Sequence, residues 1–169
     1  ELDVITSNVD TKTPFVIYIH GGGFGAGNKN AAYTKNNFKR IVRLLKNNIS
    51  FATIDYRFKN NDDFLLSSFK DAKRALQYLK FNADKFKLLK SNVALMGASA
   101  GATSSLWIGL QDDLSDKKSD DLVLRESTKV SCIVGMAAAH SLNLNRWKEM
   151  ANVCLLYTSP SPRDRVQSR

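Results

Sequence analysis

Apolar and polar positions alternate along the chain in two periods that take turns. LDVITS, residues 2–7, reads as a short edge strand, VDTKTP as a turn, and FVIYIH, residues 15–20, as a buried strand. Beyond a glycine-rich stretch, Phe38, Ile41, Val42 and Leu45 follow the i, i+3, i+4, i+7 spacing of an amphipathic helix. ISFATIDY is the next strand. Phe69, Ala72, Leu76, Leu79, Ala83 and Phe86 then step by threes and fours, which predicts one longer helix running as far as Phe86. NVALMG is a short apolar strand, followed by a helix of small residues from Ala100 to about Leu110. A charged loop, QDDLSDKKSDDLVLREST, leads to an expected strand KVSCIVGMAAA, residues 129–139. Strands separated by helical crossovers predict the α/β class: a mostly parallel sheet with helices on both faces and ligands at the carboxyl ends of its strands.

Composition adds bounds. The 169 residues, 43% hydrophobic and 24% charged, suit a single soluble globular domain, and no apolar run nears the roughly 18 residues of a membrane span. The net charge of +9 comes from lysines spread along helices and loops, as in KNNFKRIVRLLKNN, with no basic cluster among aromatics, so no nucleic-acid partner is expected. Cys132 and Cys154 form no C-x-x-C, disulfide framework or metal pattern. The last residues, CLLYTSPSPRDRVQSR, lack either period. They resemble translated read-through of a sequencing adapter, so residues 1–153 are expected to be a partial domain and 154–169 a non-native tail. The chain opens on Glu1 within an apparent strand and reads as a fragment.

The candidate chemistry lies in two glycine clusters. HGGGFGAG, residues 20–27, has the density of glycine that close backbone approach demands. A P-loop is excluded because Asn28 stands where lysine is required. Gly21, Gly23 and Ala26 do fit G-x-G-x-x-G/A, with Asp55 as a ribose-binding acid, so a dinucleotide site stays open on this motif alone. The second cluster, GASAG, residues 97–101, lies between a predicted strand and a predicted helix, where a G-x-S-x-G nucleophile elbow belongs. There Ser99 would take a strained backbone, and Gly97 and Gly101 would relieve the clashes that a tight turn creates.

With HGGGF, DYRF at residues 55–58, DAKRAL from Asp71 and GASAG, the chain from about Leu2 to Trp147 resembles the α/β-hydrolase superfamily, and within it the hormone-sensitive-lipase-like esterases and lipases and the carboxylesterases. Ala98 replaces the aspartate usual in the hormone-sensitive-lipase group proper, which favours carboxylesterases and feruloyl- or acetyl-ester hydrolases. The resemblance implies an α/β-hydrolase fold truncated before its last strands. It also implies hydrolysis of small esters through an acyl-enzyme on Ser99, without cofactor or metal. The oxyanion donors would be the backbone N–H groups of Gly22, Gly23 and Ala100, with His20 anchoring their loop by hydrogen bonding. In this superfamily an acid and then a histidine follow the serine. Besides His20 the chain has His140, expected to line the pocket, and the resemblance assigns the acid and base to a C-terminal part beyond this sequence. Asp71 and Arg57 are expected to pair, and Trp107 and Trp147 to pack. The rival readings are a non-catalytic interaction module of the same fold and the dinucleotide-binding domain.

Overall fold

The computed structural model describes residues 1–60 and 62–139. His140, Trp147 and the tail from Cys154 lie outside them.

Five strands form one sheet: β1 (Leu2–Ile5), β2 (Thr13–Ile19), β3 (Ser50–Ile54), β4 (Leu88–Ala98) and β5 (Cys132–Met136). Their order is β1-β3-β2-β4-β5, with β1 antiparallel to β3 and all other pairs parallel. The helices are α1 (Lys35–Lys46), α2 (Leu66–Phe81) and α3 (Ala100–Gly109). The chain leaves β2 toward β3 on one side and returns to β4 on the other, so the loops after β2 and β4 diverge from adjacent strand ends. Such a reversal opens a crevice at the carboxyl edge of a parallel sheet.

Alternation along β2 explains how both faces are covered. Val16 and Tyr18 join Ile41 of α1, Ala32 and Phe51 in one apolar cluster. Phe15, Ile17 and Ile19 occupy the alternate positions and are likewise buried. Pro14 has no N–H to give the ladder, and the β2–β4 register shifts there, between Thr13 and Phe15.

Helix α3 opens with small residues, and at Gly101 it approaches the end of β2 so closely that a Cβ would stand 1.9 Å from the Ile19 oxygen. Its buried hydroxyls bond back within the helix, Ser104 Oγ to the Ala100 carbonyl at 3.1 Å and Ser105 Oγ to that of Gly101 at 2.8 Å, so their burial leaves no orphan donor. Trp107 stacks on Phe69 of α2 with ring centroids 5.0 Å apart.

Several expectations are corrected. Phe38 is half exposed, and Ile41, Leu44 and Leu45 carry the contact of α1. Helix α2 ends at Phe81: Asn82 leaves helical dihedrals at φ −95° and ψ 20°, its side chain takes the Tyr78 carbonyl at 2.9 Å, and the Ala83 N–H turns to the Lys80 carbonyl, three residues back, at 3.1 Å. Ala83 is buried beyond that end. Strand β4 begins earlier than NVALMG, at Leu88, and β5 is confined to Cys132–Met136 because Ala137 turns to φ 53°. Two short 3-10 helices, Lys29–Tyr33 and Leu122–Arg125, were not foreseen.

The charged loop after α3 is pinned by polar side chains of α2. Gln77, fully buried, donates from Nε2 to the carbonyls of Leu124 at 2.9 Å and Glu126 at 2.8 Å. Lys80 Nζ reaches the Lys129 carbonyl at 2.6 Å, and Arg74 pairs with Asp121. The loop therefore delivers β5 to the side of β4 in a fixed position.

Candidate active site

Between the last residue of β4 and the first of α3 stands Ser99 alone. It makes the reversal with φ 52° and ψ −120°, a conformation that costs an L-residue about 1–3 kcal/mol. Surrounding contacts hold it there. Its N–H donates to the Met136 carbonyl at 2.8 Å, and its own carbonyl accepts from the Thr103 N–H at 2.9 Å and the Thr103 hydroxyl at 3.1 Å. The flanking glycines are a steric necessity: a Cβ on Gly97 would stand 2.4 Å from the Gly101 carbonyl carbon, and one on Gly101 only 1.9 Å from the Ile19 oxygen. Ser99 is exposed, whereas Ala100 and Gly101 beside it are buried.

The glycine loop passes this turn at contact distance. A Cβ on Gly21 would lie 2.9 Å from the Ala98 oxygen and 3.5 Å from Ser99 Cβ. Gly22 adopts φ 118°, and its carbonyl accepts from Gly25 N–H at 3.0 Å and Ala26 N–H at 3.1 Å, closing a tight turn. Gly23, at φ 60°, differs: a Cβ there would meet nothing within 4 Å. Phe24 then turns its ring into the core, edge-on to Phe69 at 5.5 Å, and its carbonyl receives the Lys59 N–H at 2.7 Å. Among the described residues, nothing accepts from the N–H groups of Gly22, Gly23 or Ala100.

His20 is buried at the root of this loop. Its Nδ1 lies 2.7 Å from the Gly21 carbonyl, so that nitrogen carries the proton and donates. The ring stacks on Tyr56 at 4.3 Å, and the Tyr56 hydroxyl donates to the His20 carbonyl at 2.9 Å. Burial, aided by the nearby Tyr18, pushes the Tyr56 phenol up to about 12. The exit of the loop is held as firmly, because Asp55 Oδ1 accepts the Lys29 N–H at 2.7 Å. That carboxylate is the one a dinucleotide site would need for ribose, and here it is committed to the protein's own backbone.

The remaining sequence candidates separate cleanly. Arg57 grips Asp71 with Nε at 2.9 Å and a terminal nitrogen at 2.8 Å, the Arg57 N–H adding a third bond at 2.9 Å. Burial alone would raise the Asp71 carboxyl, but these bonds bring it below its ordinary value. A cleft of about 540 Å³ lined by Leu2, Val4, Asp55, Asp71, Arg74 and Tyr78 lies along β1 and α2 and includes neither Ser99 nor the glycine loop. Sequence reasoning missed the parts played by Tyr56, Thr103 and the Met136 carbonyl. Tyr56 stood in DYRF without a role, and a threonine inside a helix carries no signal of what its hydroxyl holds.

A mostly parallel sheet with an antiparallel edge strand and helical crossovers, carrying a strand–serine–helix turn beside a glycine loop, is the α/β-hydrolase architecture. The chain belongs to the BD-FAE family, an esterase-like α/β-hydrolase domain, whose model matches residues 2–159. Among curated proteins it is similar to Esterase P of Drosophila melanogaster, with 34% identity over 103 residues, 59% of this chain and 19% of that protein. An acetyl ester-xyloside bifunctional hydrolase from Caldicellulosiruptor lactoaceticus superposes with a TM-score of 0.66 at 26% identity, covering 79% of this chain and 47% of that one. The propionate-bound esterase Est2 of Thermogutta terrifontis shares the fold at 14% identity, with a TM-score of 0.68 over 89% of this chain and 56% of its own. The chain thus spans less than a fifth of Esterase P and about half of the bacterial hydrolases. No helix among the described residues is long and apolar enough to cross a membrane.

Proposed function

We propose that this chain is the nucleophile-bearing part of a serine carboxylesterase that acts on small esters. The observation that carries the reading is Ser99 itself, exposed and strained at φ 52° with Gly21 packed against it. A binding module gains nothing from that strain. In the reaction, Ser99 Oγ adds to the ester carbonyl carbon as its proton passes to a general base, and the carbonyl oxygen becomes an anion. The N–H groups of Gly22, Gly23 and Ala100 are assigned to that oxygen, each such donor being worth about 3 kcal/mol of barrier, and the amino end of α3 adds its positive dipole. Collapse expels the alcohol with the base's proton and leaves Ser99 acylated; water then reverses the sequence and releases the acid. No cofactor is required.

The base and its orienting acid are assigned to sequence beyond this chain. His20 is unsuited to the role because it is buried and bonded to the Gly21 carbonyl. His140 lies outside the described residues and is proposed to line the pocket. The test is hydrolysis of p-nitrophenyl acetate. The 169-residue chain is expected to turn over weakly or not at all, since an oxyanion hole without a triad retains only about 10³–10⁴-fold over water. Joined to the C-terminal part of a BD-FAE relative, it is expected to hydrolyse the ester with acetyl trapped on Ser99, and Ser99→Ala abolishes both. A fusion that folds and shows neither would refute the proposal. Turnover by the chain alone, lost in His140→Ala, would instead make His140 the base.

A further inference from the structure

Ser99 is not the only residue to leave its strand left-handed. Ala98 and Met136 are partners in the β4–β5 ladder, and the residues that follow them, Ser99 and Ala137, take φ 52° and φ 53°. Two adjacent parallel strands therefore break off together, each through a non-glycine residue in a costly conformation. Two hydrogen bonds tie the breaks to each other. Ser99 N–H donates to the Met136 carbonyl at 2.8 Å, and Ala139 N–H donates to Thr103 Oγ1 at 3.0 Å. The same Thr103 hydroxyl donates its proton to the Ser99 carbonyl at 3.1 Å. Thr103 is 2% exposed, so its hydroxyl is committed to these two bonds and not to bulk water.

We propose that Thr103 is a positioning residue for Ser99, its hydroxyl locking the nucleophile turn to the exit of β5. The chemistry admits few substitutes. The side chain must accept from one backbone N–H and donate to one backbone carbonyl from a single buried atom, which a hydroxyl does and an isosteric methyl cannot. Thr103 touches no reacting atom in this scheme. It acts by keeping Ser99 in a conformation that relaxation of β5 would release. The inference deepens the hydrolase reading and rests on it for its consequence in catalysis.

The experiment compares Thr103→Val, which conserves shape, with Thr103→Ser, which conserves the hydroxyl. In the ¹⁵N-labelled 169-residue chain, Thr103→Val is expected to speed amide exchange of Ala139 at least tenfold and to shift the Ser99 amide resonance. Thr103→Ser is expected to restore both. In the fusion that completes the chain, Thr103→Val should lower kcat for p-nitrophenyl acetate about tenfold with KM unchanged, and Thr103→Ser should recover it. A Ser99 resonance and a kcat that ignore Thr103→Val would overturn the inference and leave the hydrolase reading standing. A fusion without activity, in a chain whose Ser99 resonance still follows the Thr103 hydroxyl, would overturn the hydrolase reading and support the positioning.

Discussion

The Tyr56 hydroxyl donates to the His20 carbonyl at 2.9 Å while the two rings stack 4.3 Å apart, so the second residue after β3 props the first residue after β2. The prop requires a protonated phenol, and burial raises that phenol from 10.0 to about 12. A raised pKa means the folded state holds its proton longer than the unfolded one. Its contribution is complete below about pH 10 and disappears as pH climbs through about 12. At about 1.4 kcal/mol per unit, on the order of 2–3 kcal/mol is at stake. Urea denaturation from pH 8 to 11.5 should show the wild type losing stability more steeply than Tyr56→Phe. Parallel curves would contradict the assignment.

Two glycines of the site should respond unequally to the same methyl group. Gly101→Ala drives a Cβ to 1.9 Å from the Ile19 oxygen, between two backbone segments that cannot yield, and should cost about 3 kcal/mol or prevent folding. Gly23→Ala enters open space and pays only the left-handed backbone, about 1–2 kcal/mol. Thermal denaturation reads the difference. Under the proposed function, Gly23→Ala in the fusion with a BD-FAE C-terminal part should also reduce turnover of bulky acyl esters more than that of acetate, because the new methyl enters open space.

Ser99→Gly should stabilise the protein by about 1 kcal/mol, since glycine accepts φ 52° without the penalty that serine bears. Ser99→Ala keeps the backbone strain and should leave stability almost unchanged. Denaturant midpoints for the pair separate strain at this position from loss of the hydroxyl.

Gln77→Leu should be destabilising by about 2 kcal/mol despite its apolar gain. The Glu126 carbonyl loses its Gln77 donor and the Leu124 carbonyl keeps only the Asp116 N–H at 2.9 Å, and neither can be reached by the new side chain. Proteolysis should then cut between residues 111 and 131 sooner than in the wild type. Unchanged cleavage would mean that Arg74 and Lys80 hold the loop without Gln77.

The elements were legible wherever burial imposes a period. FVIYIH, ISFATIDY and the helix through Leu76 and Leu79 were all readable because apolar spacing and structure share one cause. The boundaries were not. Ala83 continues the apolar spacing of α2 and is buried, yet the helix has ended, Asn82 having left helical dihedrals with its side chain on the Tyr78 carbonyl. The Ser99 turn was legible through its glycines, whose absence of side chains is itself a sequence signal. The supports of that turn were illegible for the converse reason. Met136 contributes a carbonyl that every residue possesses, and Thr103 contributes a hydroxyl indistinguishable in sequence from those of Ser104 and Ser105, which merely bond back within α3.

The contacts that shape the glycine loop end mostly on main-chain atoms: the carbonyls of His20, Gly22 and Phe24, and the N–H of Lys29. Mutation does not rewrite such atoms. Drift can therefore replace the side chains around the crevice, and with them, under the proposed function, the preference for one ester over another, without dismantling the apparatus beneath. What drift cannot revise are the positions that have nothing to exchange. Gly21, Gly22, Gly27, Gly97 and Gly101 each stand where any addition collides with backbone. Inheritance of this turn and its loop is thus written in five omissions.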